Sequence, residues 1–181
     1  MRKHNGMRPQ DIVILLKIIA LGNKPWQNKD LAQSLFISSS EISEGLNRNE
    51  MAGLIDHKKK RVNREPLMEF LEHGLHYVFP QYPGSMVNGM PTAHCHPFMK
   101  QYFTSELQYV WADAINGEER GLSIEPLYQG QVKAAHQDAQ LYKFLALIDV
   151  IRVGRVREID IAINELKKDI LYEPSPEHNT H

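Results

Sequence analysis

The stretch Leu31-Ala32-Gln33-Ser34-Leu35-Phe36-Ile37-Ser38-Ser39-Ser40-Glu41-Ile42-Ser43-Glu44-Gly45-Leu46-Asn47-Arg48 decides how the chain is read. Its apolar positions mark the inner faces of two short helices that meet at a steep angle. Ser38 or Ser39 caps the second helix, and Glu41, three residues after Ser38, completes the pattern of a capping box. Ala32 is small enough to let the helices approach, Ile37 plugs the turn, and Ile42 with Leu46 anchors the second helix. That arrangement is what a helix-turn-helix requires. It leaves Ser39, Ser40, Ser43, Glu44 and Asn47 pointing away from the core, able to hydrogen-bond to bases or phosphates, with Arg48 placed to reach a phosphate.

Upstream, Pro9 and Asp11 suit the first turn of a helix whose apolar positions Ile12, Leu15, Leu16 and Ile19 recur at helical spacing until Gly22-Asn23. Asn28 is a good N-cap for the helix ending at Phe36. Downstream, Gly53 closes the third helix, and Leu54-Ile55 reads as a strand running into a basic tip. Lys58, Lys59, Lys60 and Arg61 at that tip, together with Arg48 and Arg64, make a stripe suited to phosphates. Pro66 opens a fourth helix with Leu67, Phe70 and Leu71 on its buried face, and Gly74 ends it.

Leu31-Ala32, Ile37-Ser38, Ile42-Ser43, Leu46 and Gly53-Leu54-Ile55 together resemble winged helix-turn-helix transcriptional regulators of the multiple-antibiotic-resistance (MarR-like) group over residues 9–75. The resemblance implies that the third helix enters a major groove of double-stranded DNA and that the wing rides the adjacent backbone. The arginine common at that group's wing tip is replaced by the run Lys58 to Arg61, which favours phosphate contact over minor-groove insertion. The second half lacks the group's helical dimerisation arms. There, Gly89-Met90-Pro91-Thr92-Ala93-His94 and Asp149-Val150-Ile151-Arg152-Val153-Gly154-Arg155 resemble a bacterial regulator family sometimes encoded beside toxin or defence genes.

The 181 residues carry a formal charge of −1, which conceals a split: through Arg64 the chain holds +6, and beyond it −7. A basic module that meets a polyanion, joined to an acidic body, has this distribution. One cysteine, Cys95, excludes an intrachain disulfide. The longest apolar run, Ile12 to Leu16, is far too short to span a membrane, and no signal-peptide core precedes it, so a cytoplasmic protein with no membrane partner is expected.

Four prolines and two glycines between Tyr77 and Pro97 argue against regular helix there. Tyr109-Val110-Trp111 and Leu122-Ser123-Ile124, separated by Asn116-Gly117, suggest a hairpin. Leu141, Phe144, Leu145, Ile148 and Ile151 mark a helix that Gly154 interrupts. Val156, Ile159, Ile163, Leu166 and Ile170 then form a heptad-like seam, the candidate for homodimerisation. The expected layout is mainly α with a small β wing: a winged helix-turn-helix at 8–76, an irregular proline-rich connection at 77–137, a helical dimerisation region at 138–172 and a disordered tail at 173–181.

His94-Cys95-His96 contains metal-ligating side chains, but neighbours in an extended chain point to alternate sides and no second ligand pair stands nearby, so packing of the loop is the expected role. The same reasoning argues against a Cys95-His94 catalytic pair, and no phosphate-binding glycine loop exists. Arg152, Arg155 and Arg157 read as solvated turn residues or as partners for carboxylates. The sequence thus points to a homodimeric DNA-binding repressor with no catalysis, cofactor or metal. An antitoxin-like protein binding an operon-encoded partner, or a regulator sensing an effector or metal, are the alternatives.

Overall fold

The computed structural model describes residues 6–172. It is mainly helical, at 56%, with one small three-stranded sheet. The tail expected at 173–181 lies outside the described residues.

Pro9 occupies the first position of α1 (Pro9–Leu21), where its missing N–H leaves no bond unmade. Asp11 accepts the Arg8 N–H at 2.8 Å and so closes the helix start. Every residue from Asp11 to Ile19 is buried. The stripe expected of an amphipathic surface helix is therefore a fully enclosed helix, packed on α2 (Asn28–Leu35), α3 (Ser39–Met51) and α8 (Ala139–Val153). At Gly45 of α3 the side chains of α1 come close: a Cβ there would lie 2.6 Å from Ile14 Cδ1 and 2.9 Å from Asp11 Oδ1.

The N-cap of α2 is Gln27, one residue before the expected Asn28; its N–H donates to Asp30 at 2.8 Å. Ser38 caps α3 as the sequence suggests, accepting the Glu41 N–H at 3.2 Å. The Glu41 carboxylate does not turn back to complete a capping box; it accepts from Gln10 at 2.7 Å and Arg8 at 3.1 Å, clasping α3 to the start of α1. Beyond α3 the chain doubles back through a single antiparallel bridge between Ile55 and Val62 into α4 (Arg64–His73) and the short α5 (Leu75–Val78).

The proline-rich stretch is more regular than its composition implies. It contains β1 (Met86–Pro91), then a 3₁₀ turn at Ala93–Cys95 and α6 (Pro97–Lys100). Pro80 and Pro83 precede the strand and Pro91 ends it, so no proline removes a donor from its middle. The expected hairpin is overturned. β2 (Tyr109–Ala112) pairs with the C-terminal half of β1 and β3 (Glu119–Ser123) with its N-terminal half, both antiparallel. β2 and β3 consequently run parallel to each other, and the three strands close on themselves. Gly89 faces both Ala112 and Glu119, and a Cβ there would fall 1.9 Å from the Trp111 carbonyl oxygen, so only glycine allows the pinch.

α7 (Gln131–Gln137), α8 and α9 (Val156–Leu171) complete the chain. Asp138 caps α8 through the Leu141 N–H at 2.9 Å and takes the buried Lys17 ammonium at 2.6 Å, which ties α8 to α1. In α8, Asp149 is fully buried and accepts from Thr92, the Trp111 indole and Arg152 at 2.8, 2.6 and 2.9 Å. Arg152 also donates to the carbonyls of Phe79 and Glu125. Of the arginines near Gly154, this one is a core tie between the helix and two loops.

The proposed dimer seam is corrected by its surroundings. Ile163, Leu166 and Ile170 are buried against α8 and α4 of the same chain, Ile159 is half-buried, and Val156 is exposed. The chain's own helices thus cover the C-terminal part of the stripe, and Val156 and Ile159 at its start are the positions left accessible.

Candidate nucleic-acid interface

Ile42, Gly45, Leu46 and Asn49 fix the inner face of α3, which decides what its outer face can show. Ser39, Ser40, Ser43 and Asn47 are exposed. Ser43 Oγ accepts from Asn28 Nδ2 at 3.0 Å, so the start of α2 is stitched to the middle of α3. Ser40 and Ser38 share a hydroxyl hydrogen bond at 3.1 Å. Glu44 is partly exposed and lies 3.6 Å from Arg48.

Arg48 does not take the role expected of it. Its guanidinium grips Asp11 through Nε at 2.7 Å and Nη2 at 2.8 Å, and only 9% of the side chain is exposed. The hydrogen bond to Asp11 holds its pKa above the ordinary arginine value despite burial. A charge buried this well beside a carboxylate is structural, so Arg48 leaves the phosphate stripe.

The turn between Ile55 and Val62 is organised by Asp56, a residue the charge pattern did not single out. Its carboxylate accepts the backbone N–H groups of Lys60 at 2.7 Å and Arg61 at 3.0 Å. These two donors, Arg61's first, hold its pKa below the usual carboxylate range. Lys59 adopts a left-handed conformation, φ 56°, to complete the turn. The basic run then divides. Lys59 reaches Glu50 at 3.2 Å, and Glu50 also contacts His57. Lys60 swings the other way, donating to the Trp26 carbonyl at 3.1 Å with its ammonium 3.9 Å from the centre of the Trp26 ring. Lys58 and Arg61 are exposed, and neither donates a side-chain hydrogen bond among the described residues. Arg64 sits at the start of α4 and donates to the Ile170 carbonyl at 2.7 Å, which binds α4 to the end of α9.

Asn28, Ser43, Leu46, Asn47 and Lys58 to Lys60 line one cleft of about 220 Å³. The structure thus brings the outer face of α3, the start of α2 and the basic turn to one surface, and it takes Arg48 and Arg64 away from it. Asn28 and Asp56 were the missed contributors. The helix-cap character of Asn28 was legible, but its link to Ser43 depends on how the helices meet.

His94, Cys95 and His96 stand away from this surface. All three are buried in the 3₁₀ turn region and used locally. His94 Nε2 meets the Leu107 carbonyl at 2.8 Å, Cys95 Sγ accepts the Tyr109 N–H at 3.1 Å, and His96 Nδ1 accepts the Phe98 N–H at 3.1 Å. Burial pushes the Cys95 thiol up, the opposite of an activated thiolate. Among the described residues no group of three or more His, Cys, Asp or Glu is arranged to hold a metal ion, and no helix is long and apolar enough to cross a membrane. Compared with family models, curated proteins and solved structures, the chain gives no significant match.

Proposed function

We propose that the chain is a DNA-binding regulator of the winged helix-turn-helix type, with α3 as its reading helix and the turn at residues 56–61 as a short wing. The observation that carries this reading is the shared cleft: exposed serines and Asn47 on α3 stand beside Lys58 to Lys60, offering base-edge hydrogen bonding next to phosphate attraction. The acidic remainder supports orientation, since the basic end faces a polyanion while the −7 body is repelled from it. A two-fold complex on a palindromic operator would not draw on Ile163, Leu166 and Ile170, which are covered within the chain.

The test is enrichment of duplex fragments from a random pool, followed by measured affinity for the enriched sequence and for an unrelated one. Asn47→Ala should cost roughly 1 to 3 kcal/mol on the enriched duplex and little on the unrelated one, because a base-edge bond is lost only where the right base sits. No enrichment, together with no salt-dependent duplex binding, would overturn the reading. Co-purification with a protein partner in place of DNA would favour the antitoxin-like alternative.

A further inference from the structure

A second basic hollow adjoins the turn at residues 56–61. Between the end of α1, the α1–α2 loop and the segment 60–64 lies a groove of about 650 Å³, within the range of small-molecule sites. Lys24, Lys60 and Arg61 line it, Ile19 and Val62 provide an aliphatic wall, and Trp26 presents an indole; none of the described residues lining it is acidic. Lys60 is already held in position by the Trp26 carbonyl and ring, so placing its charge costs little side-chain entropy when an anion arrives. Arg61 can offer two parallel donors to a phosphate.

We propose that this groove is a binding site for a small phosphorylated molecule with a flat apolar body, its phosphate set between Lys60, Arg61 and Lys24 and its body against Trp26. Lys60 borders both this groove and the α3–wing cleft, so occupancy here alters the cleft's charge. That coupling rests on the DNA-binding reading; the site itself does not.

The chain's two tryptophans supply the measurement. Trp26 sits in the groove, whereas Trp111 is fully buried with its indole N–H bonded to Asp149 at 2.6 Å. Two indole N–H resonances, assigned with Trp26→Phe, therefore separate a groove ligand from a global change. Phenyl phosphate should move the Trp26 resonance saturably, with half-saturation below about 1 mM, and leave Trp111 in place. Phenol, which lacks the anion, should not move it. Lys60→Gln combined with Arg61→Gln should weaken phenyl phosphate at least about tenfold, the equivalent of about 1.4 kcal/mol. A Trp26 resonance that stays still, responds equally to phenol, or titrates unchanged in the double variant overturns the site. A resonance moved by duplex DNA but not by phenyl phosphate also overturns it, and assigns the groove to the nucleic-acid backbone. Phenyl phosphate binding in a protein that binds no duplex keeps the site and sinks only the coupling.

Discussion

Arg48 and Asp11 stand 37 residues apart in sequence and form a bidentate pair with both side chains almost wholly shielded. Arg48→Met should lower the unfolding free energy by about 3 to 5 kcal/mol, because the Asp11 carboxylate would remain buried without its counter-charge. Urea unfolding checks this, and a near-neutral result would mean that water reaches Asp11. His96 gives a pH-dependent counterpart. Burial, with the nearby Lys143 charge, lowers its pKa from 6.5 to about 4, and its Nε2 has no hydrogen-bond partner among the described residues. In the unfolded chain this ring protonates near its ordinary value while the folded form resists, so stability present above pH 6.5 is lost as pH falls toward 4. The interval between those values limits the loss to about 3 kcal/mol. His96→Asn, which keeps an acceptor for the Phe98 N–H, should show a smaller fall in urea midpoint between pH 7 and about 4.5 than the parent. Equal falls would assign the acid sensitivity to other groups. Neither role was legible in the sequence. Exposure of Ser43 and Asn47 follows from helical spacing alone, whereas the fate of Arg48 depends on a partner that only the folded arrangement supplies.

Helix α9 shows what periodicity can and cannot convey. Its stripe from Val156 to Ile170 announces a covered face, and from Ile163 onward that face is covered, but the same spacing serves a neighbouring helix of the same chain or a second copy equally well. Leu166→Ala should therefore cost about 2 to 5 kcal/mol of stability as a core truncation, with the sedimentation coefficient of the folded protein unchanged. A change of oligomeric state without loss of stability would return the stripe to an interface. Local signals read well elsewhere: Pro9 starts α1, Ser38 caps α3, and Gly154 separates α8 from α9. The sheet read poorly because its order depends on closure. β2 and β3 look like a hairpin when read alone, and β1, hidden among prolines, is what forces them parallel.

For the molecule as a whole, the division of charge sets an expectation for salt. In the basic turn, Lys58 and Arg61 are the cations without side-chain hydrogen bonds among the described residues, whereas Lys59 faces Glu50. Replacing Lys58 and Arg61 by Ala should flatten the slope of log affinity against log salt by up to about 0.9 for each phosphate no longer neutralised, and Lys59→Ala should change it little. An unaltered slope in the double variant would remove these residues from the interface. The enclosure of α1 has a separate consequence. Packed on both α3 and α8, with Lys17 tied to Asp138, it cannot open without dismantling both halves of the chain. Its amides should be among the slowest in the protein to exchange with deuterium, and their opening free energy should equal that of global unfolding. A fragment ending at residue 76 would bare the α8-facing side of this helix to water, so the N-terminal helices should not survive as an independent unit.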